Sequence, residues 1–229
     1  MSEFDEYVDS YDDQHRKSIE LSGEDPSFFA EYKIHQLARL SERWKIAEPV
    51  ILDFGCGIGS SLPYFRKHFP NSEFILSDTS SKSLAAAKAL HGGDERVAHI
   101  EDGGIPLPDQ CVDLIFSACV FHHIPHASHI DWLKELRRVA RPGARIVIFE
   151  HNPFNPLTRH AVANCPFDAN AHLLSARQLR ERLVLAGWGS PASVYTVFFP
   201  RFLGFLRGLE PALGWLPLGG QYFCHAQRA

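Results

Sequence analysis

The sequence predicts an α/β protein built on a doubly wound, mostly parallel sheet. Three observations lead there. Apolar runs of strand length recur from residue 49 to residue 151, and most are followed by a segment with helical spacing. Polar residues stand at or just beyond the ends of those runs: Asp53, Asp78, Asp102, Ser117 and Glu150. Two more strand-like runs lie near the C-terminus with no helical pattern of comparable strength between them. Strands that alternate with helices are joined by right-handed crossovers, so they run parallel and bring their carboxyl ends to one edge of the sheet.

The elements follow in order. "PVILDF" (49–54) reads as a buried first strand, ended by glycine. A helix is expected over about Ser60–His68, with Pro63 in its first turn, where the missing N–H costs nothing. "EFILSD" (73–78) is the second strand, and "TSSKSLAAAKAL" (79–90) a helix capped by Thr79 or Ser80. "VAHI" (97–100) is a short third strand and "CVDLIFSACV" (111–120) a buried fourth. Trp132, Leu133, Leu136 and Val139 fall at helical spacing, with Ser128 and Asp131 placed as a capping box and "RPG" (141–143) as the stop. "ARIVIFEH" (144–151) is the fifth strand. Residues 151–168, rich in Pro and Asn, read as a loop with a short helix from about Pro156. "SARQLRERLVLAGW" (175–188) is a helix opened by a Ser175–Gln178 capping box. "ASVYTVFF" (192–199) and "QYFCHA" (221–226) are strands expected to pair antiparallel at one sheet edge.

Composition limits the function. A chain of 229 residues with 45% hydrophobic and 22% charged residues suits one globular domain and excludes disorder. The net charge of −4, without a basic block, argues against nucleic acid as a partner. The five cysteines form no C-x-x-C pair, which gives no zinc ribbon or redox motif. Their odd number, and an acidic N-terminus quite unlike a targeting signal, point to the cytoplasm. The window 194–218 is the most apolar, but Pro200, Arg201, Arg207, Glu210, Pro211 and Pro217 interrupt it, so no membrane span is expected. Packed turns behind an edge strand are the plain reading. Peripheral membrane contact or a homodimer contact, in place of a monomer, is the sharper one, since Phe202, Phe205, Leu206 and Leu209 fall at helical spacing beside Arg201 and Arg207.

Chemistry concentrates at "DFGCGIG" (53–59). A glycine-rich turn between strand and helix lets the backbone approach a ligand closely. Ser60 stands where a dinucleotide-binding G-x-G-x-x-G would need its third glycine. A carboxylate two residues before the first glycine sits badly beside a pyrophosphate and well beside a cation. This loop, with Asp78 ending the second strand, "VDLIFSACVFHHI" (112–124) and "LKELRRVARPGARIVIFEHNP" (133–153), resembles the class I S-adenosylmethionine (SAM)-dependent methyltransferases, in their small-molecule branch. The resemblance is close over about residues 48–151.

The resemblance implies a Rossmann-like seven-stranded sheet, mostly parallel with an antiparallel C-terminal edge strand and helices on both faces. It implies an N-terminal helical lid over residues 1–47 and a SAM-binding domain over 48–229, with a substrate-side insertion at about 151–172. Asp53, Gly55, Cys56, Gly57 and Gly59 would hold the methionine end of SAM. Asp78 would take the ribose hydroxyls, Thr79 and Asp102 with Gly103 the adenine, and Ser117 and Ala118 the methionine side. The product would be S-adenosylhomocysteine. The acceptor would be a small or lipid-linked molecule, with oxygen favoured over nitrogen or carbon. His122, His123, Glu150 and His151 are candidates for acid–base roles, an imidazole near neutrality being suited to them. Tyr11, Tyr32, His122 and Asn152 are candidates for touching substrate. The pattern H-H-x-x-H-x-x-H (122–129) crosses a loop and a helix start with no supporting carboxylate pair, so no metal site is expected. An NAD-type oxidoreductase and a non-catalytic SAM-binding protein are the competing readings.

Overall fold

The computed structural model describes residues 11–101 and 103–229. Two N-terminal helices, α1 (Tyr11–Ser18) and α2 (Pro26–Trp44), precede the sheet. Strands β1 (Val50–Phe54), β2 (Glu73–Asp78) and β3 (Arg96–His99) alternate with helices α3 (Leu62–His68) and α4 (Ser81–His91). Then come β4 (Val112–Ala118), α5 (His129–Val139), β5 (Ala140–His151), α6 (Pro156–Ala163) and α7 (Ala176–Leu185). Strand β6 (Trp188–Thr196), helix α8 (Glu210–Leu213) and strand β7 (Gln221–Arg228) complete the chain.

The seven strands lie in the order β3-β2-β1-β4-β5-β7-β6. The pairs from β3 to β5 are parallel, and β7 runs antiparallel to both β5 and β6. The antiparallel C-terminal strand thus inserts one place in from the edge that β6 forms. Side chains alternate between the two faces, as the pleat requires. Leu52, Phe54, Ile115, Ile146 and Ile148 pack with Leu133, Leu136, Leu179 and Leu183 of α5 and α7. Ile51, Leu114, Phe116, Val147 and Phe149 pack with Ile34 and Leu37 of α2, Phe65 of α3 and Leu84 of α4. Each face has its own helical layer, so both are dry.

Local signals acted as their chemistry dictates in two caps and not in a third. Ser80 caps α4 by accepting the Ser83 N–H, and Ser175 with Gln178 forms the reciprocal box at α7. Ser128 makes no side-chain cap, because a 3₁₀ turn over His126–Ser128 runs straight into α5 and leaves Ser128 in helical conformation. The "RPG" stop falls inside β5, which starts at Ala140; the parallel ladder slips between Val112 and Leu114 to take up the turn at Gly143. Residues Arg201–Leu209 coil as 3₁₀ turns that leave Phe202 and Phe205 about four-fifths exposed. No described helix is long and apolar enough to cross a membrane.

Candidate active site

A cavity of about 790 Å³ opens at the carboxyl ends of β1, β2, β4 and β5. Its walls come from the glycine turn, the segment after β4, α2, and the end of α6 with Asp168 beyond it. Beneath the glycine turn, Asp53, next to last in β1, is buried and has one carboxylate oxygen with no hydrogen-bond partner. Burial, with Asp78 nearby, pushes its carboxyl up to about 8, against the pull of Lys33. Asp78 accepts the Gly57 N–H at 2.9 Å and the Ser80 N–H at 2.8 Å, so it ties the turn to β2. Burial raises it too.

The glycines of the turn have distinct reasons. A Cβ on Gly55, whose φ is +76°, would stand 2.3 Å from Val120 Cγ2. Gly57, at φ +53°, has nothing within 4 Å of such a Cβ, because it faces the cavity. Cys56, Thr79 and Ala118 also line the wall. Gly59 closes the turn against Ala87 of α4. Ser117 is fully buried below the wall and does not reach it; Phe116 and Ala118 face the space on either side. Asp102 lies outside the described residues. Gly103 is exposed and away from the wall, and Ile100 is the residue of that stretch that lines it.

At the other end, a cluster of ionisable groups meets. His122 Nδ1 stands 2.6 Å from Glu150 Oε2, and both side chains are fully buried. Glu150 Oε1 also accepts the N–H groups of Val120 and Phe121, at 3.1 and 2.8 Å. Asp168 Oδ1 lies 3.4 Å from His122 Nε2 and 3.3 Å from His123 Nε2. Burial disfavours a charged His122, but the two carboxylates outweigh it and lift its pKa to about 10. Asp168 is held far below the usual carboxylate range by the same imidazoles despite burial. The His151 ring lies 5.2 Å from the His122 ring, tilted by 44°. Burial of Cys119 is outweighed by His151 and Lys33, which bring its thiol to about 7. Cys119 also holds a left-handed φ of +60°, a strained conformation for a side-chain residue, at the cavity wall.

Of the sequence candidates, His122, His123 and His151 line the cavity. Glu150 stands behind His122 and orients it rather than facing the space. Asn152 is not at the wall: its side chain donates to the Pro217 and Gly219 carbonyls and accepts from Phe154, which pins the 217–220 turn. Tyr32 is turned away as well, donating to Glu210 at 2.9 Å and joining α2 to α8. The Tyr11 side chain lies outside the described residues. His126 and His129 leave the cluster for backbone carbonyls of His172 and Ile124. Three contributors escape local reading. Lys33 is nine-tenths buried, 3.5 Å from Cys119 Sγ, and its signal was a lysine on the apolar Phe29–Leu37–Ser41 stripe of α2. Cys119 carries no motif. Asp168 gives no signal at all, being 45 residues beyond His123.

The family described as "Methyltransferase domain" matches residues 52–148, the segment that builds the glycine turn and strands β2 to β5. This segment resembles the class I SAM-dependent methyltransferases. Among curated methyltransferases, the chain is 39% identical over 105 residues to the chloroplastic tocopherol O-methyltransferase of Arabidopsis thaliana, covering 43% of this chain and 29% of that one. It is 28% identical over 141 residues to the 2-phytyl-1,4-naphtoquinone methyltransferase of Synechococcus elongatus, covering 56% and 58%. The chain therefore spans less than two thirds of the length of either relative. A SAM-dependent methyltransferase of Thermotoga maritima superimposes with a TM-score of 0.67 over 99% of this chain and 98% of its own, at 17% identity, a likeness of fold. SAM is the cofactor of that class, and the cavity fits it: an unpartnered buried carboxylate suits a ligand with an ammonium and a sulfonium, beside a backbone bare of side chains.

Proposed function

We propose that the protein moves the methyl group of SAM to an oxygen of a small, largely apolar acceptor. The observation that carries this reading is the orphaned Asp53 oxygen at the base of an open glycine turn. In it, Asp53 and the turn from Gly55 to Gly59 hold the amino-acid end, and Asp78 offers its remaining lone pairs to the ribose. Thr79 and Ile100 flank the adenine. Bound SAM supplies an electrophilic methyl, so the chain must align an acceptor in line with the C–S bond and keep water out. Phe29, Ile58, Phe116, Val120, Ile124 and Trp132 provide apolar walls for this.

The imidazole cluster is the polar group at the acceptor end. His122, already protonated between two carboxylates, is a donor that anchors an oxygen and not a base. Glu150 is its positioning residue. Arg16, Phe29 and Lys33 from the first two helices, and Ile19 between them, line the cavity, which supports residues 1–47 as a cover over it, and α6 with Asp168 supports 151–172 as the acceptor-side insertion. Two relatives act, by name, on tocopherol and a phytyl-naphtoquinone, and Phe202, Phe205 and Trp215 are exposed; both support a lipid-linked acceptor. The cysteines are all unpaired, which supports a reducing cytosol.

Calorimetric titration tests the cofactor site: SAM binds, NAD does not, and Asp53→Ala and Asp78→Ala lose SAM while staying folded. Normal SAM binding by both variants sinks the site assignment. A screen of metabolite pools for a gain of one methyl group, dependent on protein and SAM, separates an enzyme from a protein that only binds the cofactor.

A further inference from the structure

The acceptor end of the cavity holds a second constellation. His122 Nε2, His123 Nε2 and Asp168 place three ligand atoms within 4.8 Å of one another. Two ligands about 2.1 Å from one tetrahedral ion stand about 3.4 Å apart. The two imidazole-to-carboxylate separations, 3.4 and 3.3 Å, match that span. His122 Nε2 is completely buried and makes no hydrogen bond, although the Asp168 carboxylate stands 3.4 Å away.

The surroundings are built to hold this arrangement. Glu150 engages Nδ1 of His122, so a bound ion would displace the Nε2 proton and take that nitrogen as its ligand; carboxylate–histidine pairs of this kind orient metal-bound imidazoles. The other Glu150 oxygen fixes the backbone at Val120 and Phe121, directly before the two histidines. The His172 N–H donates to the His122 carbonyl at 2.7 Å, which clamps the loop that carries Asp168 onto the histidine turn. All three ligands face one cavity.

We propose that His122, His123 and Asp168 form a three-ligand site for a borderline divalent cation of the zinc or iron(II) kind. Two imidazoles and one carboxylate without thiolate suit such ions, whereas magnesium and calcium take oxygen donors. Coordination positions remain open toward the cavity, as in catalytic rather than structural sites. The carboxylate that the histidine pattern lacks locally arrives from Asp168. The site itself does not depend on methyl transfer. Its consequence for the reaction rests on the proposed function: an acceptor hydroxyl ligated there releases its proton to water more readily. The resulting oxygen anion then displaces the methyl, breaking C–S and forming C–O, and leaves a neutral thioether and an ether.

The test uses the full chain, stripped with chelator, titrated with Zn²⁺ by calorimetry and with Co²⁺ by visible absorption. One ion per chain is expected in the wild type. Asp168→Asn and His123→Ala should weaken binding by roughly 100-fold or more, and Glu150→Gln, which alters only what His122 leans on, by about 10- to 100-fold. His126→Ala, on the outer turn, should bind as the wild type does. Circular dichroism and SAM titration of each variant establish that it is folded. A folded wild type that binds neither ion, or binding that survives both Asp168→Asn and His123→Ala, overturns the site. Metal binding without methyl transfer would instead sink the functional reading and leave the site standing.

Discussion

Alanine at Gly55 and at Gly57 should separate folding from cofactor binding, although the residues are two apart in one turn. Both hold a left-handed φ, +76° and +53°. A Cβ there costs about 1–2 kcal/mol in either variant. At Gly55 the new methyl also meets Val120 Cγ2 at 2.3 Å and Cγ1 at 2.9 Å. Val120 packs against the core face that holds Phe54 and Phe121, so it cannot simply swing away. Overpacking of this kind adds about 1–3 kcal/mol. Gly55→Ala should therefore lose about 2–5 kcal/mol in urea denaturation with an unchanged m-value, and Gly55→Ala/Val120→Ala should recover only the packing share. Gly57→Ala meets nothing and should lose only the backbone share, yet its methyl projects into the space assigned to SAM. It should stay folded and bind SAM at least tenfold more weakly by calorimetry. Wild-type SAM affinity in Gly57→Ala would refute the placement of the cofactor on this turn. A Gly55→Ala loss no larger than that of Gly57→Ala would refute the packing argument.

Three further outcomes follow from the same geometry. Between about pH 4 and 8, folded Asp53 keeps a proton that the unfolded chain releases, so this group makes stability fall as pH rises through that window. Asp53→Asn should remove up to several kcal/mol of that fall in denaturation at pH 5 and pH 8, and SAM binding below pH 8 should release a proton, seen as buffer-dependent heat; matching pH profiles for the wild type and Asp53→Asn would refute this. Tyr32→Phe removes one hydrogen bond to the buried Glu210 carboxylate and should cost about 1–2 kcal/mol with methyl transfer kinetics unchanged; a raised KM would return Tyr32 to the substrate site. Asn152→Ala strands the Pro217 and Gly219 carbonyls and the Phe154 N–H and should lower stability by about 2–4 kcal/mol, while an unaltered melting temperature would show that the 217–220 turn does not depend on it.

The parallel half of the sheet was legible because its information is local. β1, β2, β4 and β5 are buried on both faces, and such strands must be apolar runs whatever surrounds them. The errors lie at boundaries, where tertiary contacts compete with local signals. Arg141 reads as part of a helix stop, yet its guanidinium pairs with Asp113 at 2.6 Å and draws residues 140–143 into the ladder beside β4. Ser128 has the spacing of a cap, but the preceding Pro125 starts a 3₁₀ turn that puts Ser128 in helical conformation. Neither outcome can be read from a window of eight residues.

The site divides along the same line. Its proposed cofactor end was legible as a cluster because Asp53, Gly55, Cys56, Gly57 and Gly59 fall within seven consecutive positions, and Asp78 ends the next strand two residues beyond Leu76, the partner of Asp53. A cofactor common to a family can be met by one strand–turn–helix unit. The acceptor end is assembled from parts 33 to 168, with Lys33 on α2, Cys119 and the histidines after β4, Glu150 on β5, and Asp168 beyond α6. Sequence marked the histidines but misplaced Glu150, Asn152 and Tyr32, since facing the cavity and standing one residue behind it look alike along a strand. β5 settles that distinction by its pleat: Glu150 continues the Ile146–Ile148 face and reaches the back of His122, while His151 turns to the cavity. A carboxylate behind an imidazole fixes which nitrogen is presented and a carboxylate in front fixes what that nitrogen meets. The proposed acceptor end thus takes its chemistry from the pair Glu150 and Asp168 more than from the histidines that advertise it.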